Sequence, residues 1–403
     1  MPILTYNGCT MFRERITASL LSGKTFKITN IRSEYVGNSS STKIGLQDFE
    51  ASYLRLIDKL TDGTSIEINE TGTTLRFKPG LIVGGDLTHD CGTSRSIGWY
   101  IEGILPLLPF AKLSFNGNFT GITNDDVDIS VDTLRGTTLP MLYHFGINST
   151  SIKIHKRGAP PQGGGIVELF LEIVREIKPI NLVDCGLIKR VRGCAYCTRV
   201  SPTIITRVID SARGVLNELL PDVYIHSDHY KGTHGGGKSP GYSIYLKAET
   251  TTGVMLSVER TCSTEEGARE LPETIGEEAA FLLLDEVDRG GAVDSTHQAL
   301  IMQLMVMASE DVCKIRVGNE LTPQAIELLS IIRDHFGVVF KLKNDSPIAN
   351  TADTVGRSHA STALPPVTDA DGNELDMNMN CGRDTIMVSC LGIGYKNVSR
   401  RIR

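Results

Sequence analysis

The sequence predicts an α+β protein. Three αβαββ repeats, each a small sheet carrying two helices, surround a pseudo-threefold axis, and a thioredoxin-like α/β domain is inserted between the second and third. Three observations predict this. Val293 to Leu342 reads helix, strand, helix, strand, and Thr385 to Leu391 completes the unit after a long polar loop. Two earlier stretches repeat that order with a period of roughly 80 residues, beyond the solenoid range. A stretch of different order, about Cys185 to Asp285, separates them from the third. Helices that share one apolar stripe bury it best against one another, which gives the expected axis. The expected divisions are 1–185, 186–285 and 286–403.

In the first repeat, Met11 to Leu21 reads as a helix and Thr25 to Ile31 as a strand. Lys43 to Leu60 is a longer helix whose apolar face is Leu46, Phe49, Tyr53, Leu56, Ile57 and Leu60. Ser65 to Ile68 and Thr74 to Phe77 alternate across Glu70-Thr71-Gly72, as a hairpin does. The second repeat sets a helix at Arg95 to Leu108, a strand at Ala111 to Phe115 and a helix at Asp125 to Phe145 with a break at Gly136. Strands at Ser151 to His155 and Ile166 to Ile173 follow, joined by a turn rich in glycine and proline.

In the third repeat, Asp294 and Ser295 can accept from free amides at a helix start, and Leu300, Leu304 and Met307 recur at helical spacing. Val312 to Val317 alternates as a strand. Thr322-Pro323 is a cap with proline at the first helical position. Gly337 supplies the left-handed stop, and Val338 to Leu342 is a strand. Within the insert, Leu187 to Val200, Val223 to Ile225, Tyr242 to Glu249 and Gly253 to Glu259 read as strands. Pro202 to Leu220 and Glu265 to Leu284 read as helices, and His234 to Pro240 as a flexible surface loop.

The 403 residues suit two or three domains. A 40% hydrophobic, 22% charged composition is ordinary for a globular chain, and a net charge of -6 argues against coating nucleic acid over the whole surface. Nine scattered cysteines read as reduced core residues. No run approaches the roughly 18 apolar residues of a membrane span, and no signal peptide is evident, so cytosol or nucleus is expected.

Several motifs carry a chemical and a plain reading. Cys194-Ala195-Tyr196-Cys197 would serve redox or zinc chemistry at a helix start, but it sits mid-strand, where positions i and i+3 face opposite ways. Core cysteines are the favoured reading. Gly232 to Ser239 fits the spacing of a phosphate loop, yet Pro240-Gly241 prevents a helix from starting at Lys238. Asn124 to Asp128 is either a divalent-metal cluster or, as the helix dipole favours, an acidic helix start. Lys189, Arg190, Arg192 and Arg199 form a basic run, and Lys396, Arg400, Arg401 and Arg403 a basic tail; each is an RNA-facing patch or plain solvated surface.

The repeat with its insert resembles the RNA 3'-terminal phosphate cyclase family over nearly the whole chain. The motifs that carry this are Tyr6-Asn7-Gly8, Asn30-Ile31-Arg32, Phe77-Lys78-Pro79-Gly80 with Gly84-Gly85-Asp86, and Arg157-Gly158 with Pro161 to Gly165. Asp184 to Gly193, Asp294 to Gln298, Asp311 to Gly318 and Gly394-Tyr395 are similar to its cyclase-like, ribosome-biogenesis branch.

That resemblance implies a nucleolar factor of the small-subunit processome, or 90S pre-ribosome. It would be held by a large assembly GTPase, meet pre-rRNA and the U3 small nucleolar ribonucleoprotein, and support early pre-18S cleavage and 40S assembly. It implies no cofactor, no small-molecule substrate and no membrane. True cyclases attack ATP with a histidine ahead of the last long helix, where this chain has Glu320-Leu321. Their glycine-rich Glu-Gly-Gly-Gly-Gln run is here Cys9 to Arg13, and the aspartate of the preceding helix is replaced near His297. Catalytic and metal residues are therefore expected to be absent. Arg32, Gln47, Arg157, Lys189, Arg190 and Arg192 are the candidates for binding anions or RNA. The alternative is a pre-rRNA endonuclease on a degenerate cyclase shell, with Asn124 to Asp128 or Arg333-Asp334-His335 as its chemistry.

Overall fold

The structure is a computed structural model that describes residues 3–33, 44–230, 235–262, 270–345, 367–368, 374–375 and 384–399. It opens with β1 (Leu4–Asn7), α1 (Phe12–Ser22), β2 (Phe26–Thr29), α2 (Asp48–Leu60), β3 (Thr61–Asp62), β4 (Ser65–Ile68), β5 (Leu75–Lys78) and β6 (Leu81–Ile82). Next come β7 (Gly84–Asp90), α3 (Ile97–Ile104), β8 (Leu113–Gly121), α4 (Val131–Thr133), α5 (Leu139–Leu142), β9 (Thr150–Lys156), β10 (Gly165–Leu171) and β11 (Asn181–Leu182). The middle holds β12 (Ile188–Thr198), α6 (Pro202–Leu216), β13 (Val223–Tyr230), β14 (Gly241–Thr250), β15 (Met255–Thr261) and α7 (Pro272–Asp288). The chain closes with α8 (Gln298–Met307), β16 (Val312–Val317), α9 (Pro323–Phe336), β17 (Lys341–Asp345), the short pair β18 (Val367–Thr368) and β19 (Glu374–Leu375), and β20 (Thr385–Leu391).

Three four-stranded sheets share one pattern, with orders β1-β2-β5-β4, β7-β8-β10-β9 and β11-β16-β20-β17. In each the first pair is parallel and the other two are antiparallel. One apolar core joins all three, drawing on residues from Phe12 to Ile180 and from Val293 to Cys390. Strand alternation places Phe26, Ile28, Leu75 and Phe77 inward and Lys27 and Arg76 outward, as a sheet buried on one face requires. Helix α8 is buried at all ten positions, so it is apolar almost all round and not merely along a stripe.

The first strand of each sheet was not among the predicted elements. Four-residue β1, the polar β7 and two-residue β11 carry too little alternation to read, and the unit is βαβαββ. Several boundaries also differ. Helix α2 starts at Asp48, where Gln47 and Glu50 form a capping box; Lys43 lies outside the described residues. The acids at Asp125 to Asp128 do not begin a helix. Ser130 does, its hydroxyl accepting from Thr133 N at 3.2 Å. Leu134–Thr138 then runs as a π-helix, around Gly136. After Gly337 (φ 72°) Val338 to Phe340 cross from helix to sheet, so the strand begins at Lys341.

A fourth sheet, β13-β12-β14-β15, has its own core with α6 and α7. A polar seam joins it to residues 130–138 and to the turn after β9. Arg157 has no exposed surface and pairs with Asp132 and, at 2.9 Å, with Asp228 on β13. Glu259 on β15 accepts from Ser130 N at 2.8 Å and Thr133 Oγ1 at 2.6 Å. The Thr137 and Tyr245 hydroxyls lie 2.5 Å apart, and Lys247 donates to the Gly136 carbonyl at 3.2 Å.

The described part of the glycine loop, from Gly235, belongs to this seam. Lys238 N donates to Gly163 O, Gln162 N to Ser239 Oγ and Arg157 N to Gly235 O. A side chain at Gly237 would strike the carbonyls of Gly163 and Arg157. The segment is thus docked backbone to backbone and is not a free surface loop; Gly232 to His234 lie outside the described residues.

Breaking a buried ion pair leaves a charge without compensation. Arg157→Met should therefore lower unfolding free energy by about 3–5 kcal/mol in urea titration, and Arg157→Met with Asp132→Asn by clearly less. Burial pushes the Glu259 carboxyl up to about 7 from its ordinary 4.5; Asp132 adds to the rise and the Ser130 and Thr133 hydrogen bonds oppose it. The folded state thus holds a proton that the unfolded chain has released, so this contribution is present below pH 4.5 and lost as pH rises through 7. Relative to Glu259→Gln, the native protein should lose on the order of 3 kcal/mol across that window. A stability difference that stays flat with pH would refute the assignment.

Candidate functional site

The start of α1, the start of α8, α9 and the end of α3 converge on a cavity lined by Arg13, Glu14, Glu102, Gln303 and Gln324. Its room for a water-sized sphere is about 20 Å³, enough for one water. Arg13 fills the space. Its guanidinium donates to the Trp99 carbonyl at 2.6 Å, pairs with Glu102 at 2.9 Å and Glu14 at 3.5 Å, and lies 4.9 Å above the Trp99 ring. Burial works against its charge, but the two carboxylates prevail and hold its pKa above the ordinary arginine value. Gln324 donates to Glu14 at 3.1 Å. Only Gln303 Nε2 is left buried without a hydrogen-bond partner, and a single water would satisfy it.

The loop before α9 is tied down from α8. Gln298 donates to the Glu320 carbonyl at 3.3 Å and accepts from Thr322 N at 2.9 Å. Thr322 caps α9 and Pro323 takes the first helical position, as the sequence predicts. Glu320 is exposed and outside the cavity lining.

Beside this centre lies a Thr138–His297–Asp294 chain. His297 Nδ1 is 2.5 Å from Asp294 Oδ1, and its Nε2 is 2.7 Å from Thr138 Oγ1. Ser257 of β15 donates to Asp294 through both its N–H and its hydroxyl. Hydroxyl, imidazole and carboxylate in this order are the arrangement that activates a nucleophile. Here all three side chains are at most 1% exposed, and none lines a described cavity. Burial opposes protonation of His297, but Asp294, together with Glu102 and Glu259, outweighs it, and its pKa is raised. The chain clamps β15 to α8 and to the π-helix. It was missed because His297 is far from Thr138 in sequence, and only the π-turn brings them together.

The candidate anion ligands are mostly engaged. Arg32 grips Glu50 with two bonds of 2.7 and 2.9 Å, and Gln47 belongs to the cap of α2. Arg157 is sealed in the seam. Arg190 pairs with Glu249 at 2.6 Å and Arg192 with Asp222 at 2.9 Å, while Lys189 is exposed. These residues do not share a cleft. Lys396 is exposed and Arg400 to Arg403 lie outside the described residues.

Most of the acid and histidine candidates are likewise engaged, while Asp126 is exposed. Asp128 pairs with Arg95 and accepts from Ser96 N at 3.1 Å. Asp125 accepts from the backbone of Val127 and Asp128, and burial pushes its pKa up to about 6. His335 is 2% exposed with Nδ1 2.9 Å from Ser22 Oγ, and burial lowers its pKa to about 4. Cys194 and Cys197 are buried free thiols on β12, and burial pushes Cys194 up to about 12. Among the described residues no three of His, Cys, Asp and Glu gather as a metal-ligand set, and no helix is long and apolar enough to cross a membrane.

Comparison with known proteins bears out the resemblance read from the motifs. RNA 3'-terminal phosphate cyclase is the family that matches residues 4–342. A probable RNA 3'-terminal phosphate cyclase-like protein of Dictyostelium discoideum is 44% identical over 99% of both chains. The RNA 3'-terminal phosphate cyclase-like protein of Homo sapiens is 43% identical, over 99% of this chain and 98% of its own. The rRNA processing protein rcl1 of Schizosaccharomyces pombe is 36% identical over the same shares. The first two carry the name cyclase-like and not cyclase. The chain belongs to the RNA 3'-terminal phosphate cyclase family and is similar to its cyclase-like proteins.

Proposed function

We propose that this chain is a non-catalytic rRNA-processing factor built on a degenerate cyclase fold. The observation that carries the proposal is the closed centre. Where a nucleotide would need room, Arg13 is spent on Glu102, Glu14 and the Trp99 carbonyl, and about 20 Å³ remains. Aligning Thr322 to Ile326 on the cyclase motif leaves Glu320-Leu321 at the nucleophile's place, and neither side chain offers an imidazole. The name of the S. pombe relative supports rRNA processing as the setting, and with it a nuclear, nucleolar location.

In this reading the three alike sheets are three copies of one unit about a pseudo-threefold axis. The fourth sheet is a thioredoxin-like insert over 186–285, without thioredoxin chemistry. The protein works by docking, held by a large assembly GTPase and presented to pre-rRNA and the U3 particle within the small-subunit processome. Early pre-18S cleavage and 40S assembly depend on that placement. The endonuclease alternative has less support, because Asp125, Asp128 and His335 are each engaged in a backbone, ion-pair or core contact.

Two experiments test this. Incubated with ATP and a 3'-phosphorylated RNA, the purified protein should form neither a 2',3'-cyclic end nor a covalent nucleotide adduct. A labelled adduct that survives denaturation would overturn the non-catalytic reading. In cells depleted of the native protein, Asp125→Ala, Asp126→Ala, Asp128→Asn, Asp334→Ala and His335→Ala should each leave pre-rRNA cleavage within a few-fold of normal. Loss of a catalytic acid or base would instead cost about 10²–10⁴ in rate. One such variant that enters the pre-ribosome at normal occupancy yet blocks cleavage would establish the endonuclease.

A further inference from the structure

We propose that the outer face of the third sheet binds single-stranded RNA, gripping its phosphodiester backbone through Lys314, Lys341 and Lys343. The register builds the site. Asn181, Lys314, Ser389 and Lys341 lie in one row across β11, β16, β20 and β17. Arg316, Met387 and Lys343 form the next row. Residues directly opposite across strand pairs share a face, so all three lysines project to the same side. Adjacent strands are about 4.8 Å apart and alternate residues about 7 Å apart. The three stems therefore rise from positions within about 12 Å of one another.

The lysines are exposed and have no hydrogen-bond or ion-pair partner among the described residues. Arg316 differs, because it is closed by Asp345 at 2.7 Å. Between the lysines lies an open depression of about 540 Å³ floored by Met387, Val183, Asn181 and Ser389, of the size that ligand sites have. The arrangement offers cations at the rim, apolar atoms for a base face, and an amide and a hydroxyl for sugar or base edges.

The face suits RNA better than an acidic peptide. A peptide recruited by a sheet adds to its edge, and edge strand β17 carries Lys341 and Lys343, charges of the kind that discourage such pairing. The second sheet has the same strand order, but Asp86, Asp90, Glu168 and Lys153 stand on its outer face, so shape alone does not make the site. The proposal rests on the rRNA-processing reading and names where that RNA touches the chain.

The test is fluorescence anisotropy of a labelled single-stranded 12-mer RNA between 50 and 200 mM KCl. Native protein is compared with Lys314→Gln/Lys341→Gln/Lys343→Gln and with a control, Lys27→Gln/Lys78→Gln, on the outer face of the first sheet. Each phosphate contact adds about 0.7 to the slope of log K against log salt, so the triple variant should lose about 2 from that slope. The control should lose nothing, and both variants should unfold as the native protein does. An unchanged slope in the triple variant, or an equal loss in the control, overturns the site. So does retention of polyglutamate by this face without retention of RNA, which would mark an acidic protein partner. If the native protein binds no RNA yet still supports pre-rRNA cleavage in cells, this surface is wrong and the docking reading stands. A covalent nucleotide adduct would overturn that reading and leave this surface untouched.

Discussion

A guanidinium with no surface in water survives only if carboxylates replace the water, and Arg157 is held that way between Asp132 and Asp228. Much else in the structure follows from this constraint. Asp132 sits in the first turn of the helical stretch that begins at Val131, Arg157 follows β9 directly, and Asp228 lies on β13, so one cation fixes three segments of distant sequence. Once they are fixed, the same closure removes water from the other polar groups of the seam, and several of them are paired in turn. Tyr245 meets Thr137, Glu259 meets Ser130 and Thr133, and the glycine loop pairs its backbone with Gly163 and Arg157. The π-turn at Leu134–Thr138 is the local adjustment that lets successive threonines reach different partners: Thr137 to the fourth sheet and Thr138 to His297.

Elements whose signal is local were legible. Thr322-Pro323 with Gly337 set both ends of α9, and the alternation of Val312 to Val317 gave a strand with the predicted bounds. Elements defined by a distant partner were not. Strand β1 exists because β2 lies beside it in parallel, and the polar β7 is a strand because β8 accepts it. The acidic run at Asn124 to Asp128 misled for a related reason. Composition favoured a helix dipole, but Asp128 was committed to Arg95, more than thirty residues earlier.

Candidate ligands show the same division. Arg32, Arg157, Arg190 and Arg192 read as free cations because a sequence displays charge and not its partner. Glu50, Asp132, Glu249 and Asp222 claim them through contacts that lie 18 to 59 residues away. The lysines of the third sheet attracted no notice, since Lys314 and Lys341 are neighbours only through the register of β20 between them. A basic cluster in sequence is poor evidence of a basic surface. A row across strands is better evidence, and it needs the fold.

The two buried constellations separate geometry from activity. Thr138, His297 and Asp294 have the distances of a nucleophile, base and orienting acid, yet each polar atom already has its partner and all three side chains are at most 1% exposed. In the cavity between α1, α3, α8 and α9, Arg13 and Glu102 are the sort of charged groups a catalytic site uses, but they are aimed at each other. Catalysis requires groups preorganised toward a space that the transition state will occupy. Charges that neutralise one another do not meet that requirement, which is why the cavity supports the proposed non-catalytic reading. Charge left unspent on a folded surface is then the more informative quantity. The proposed RNA face outside the third sheet is one such place, where a partner and not a reaction would use the charge.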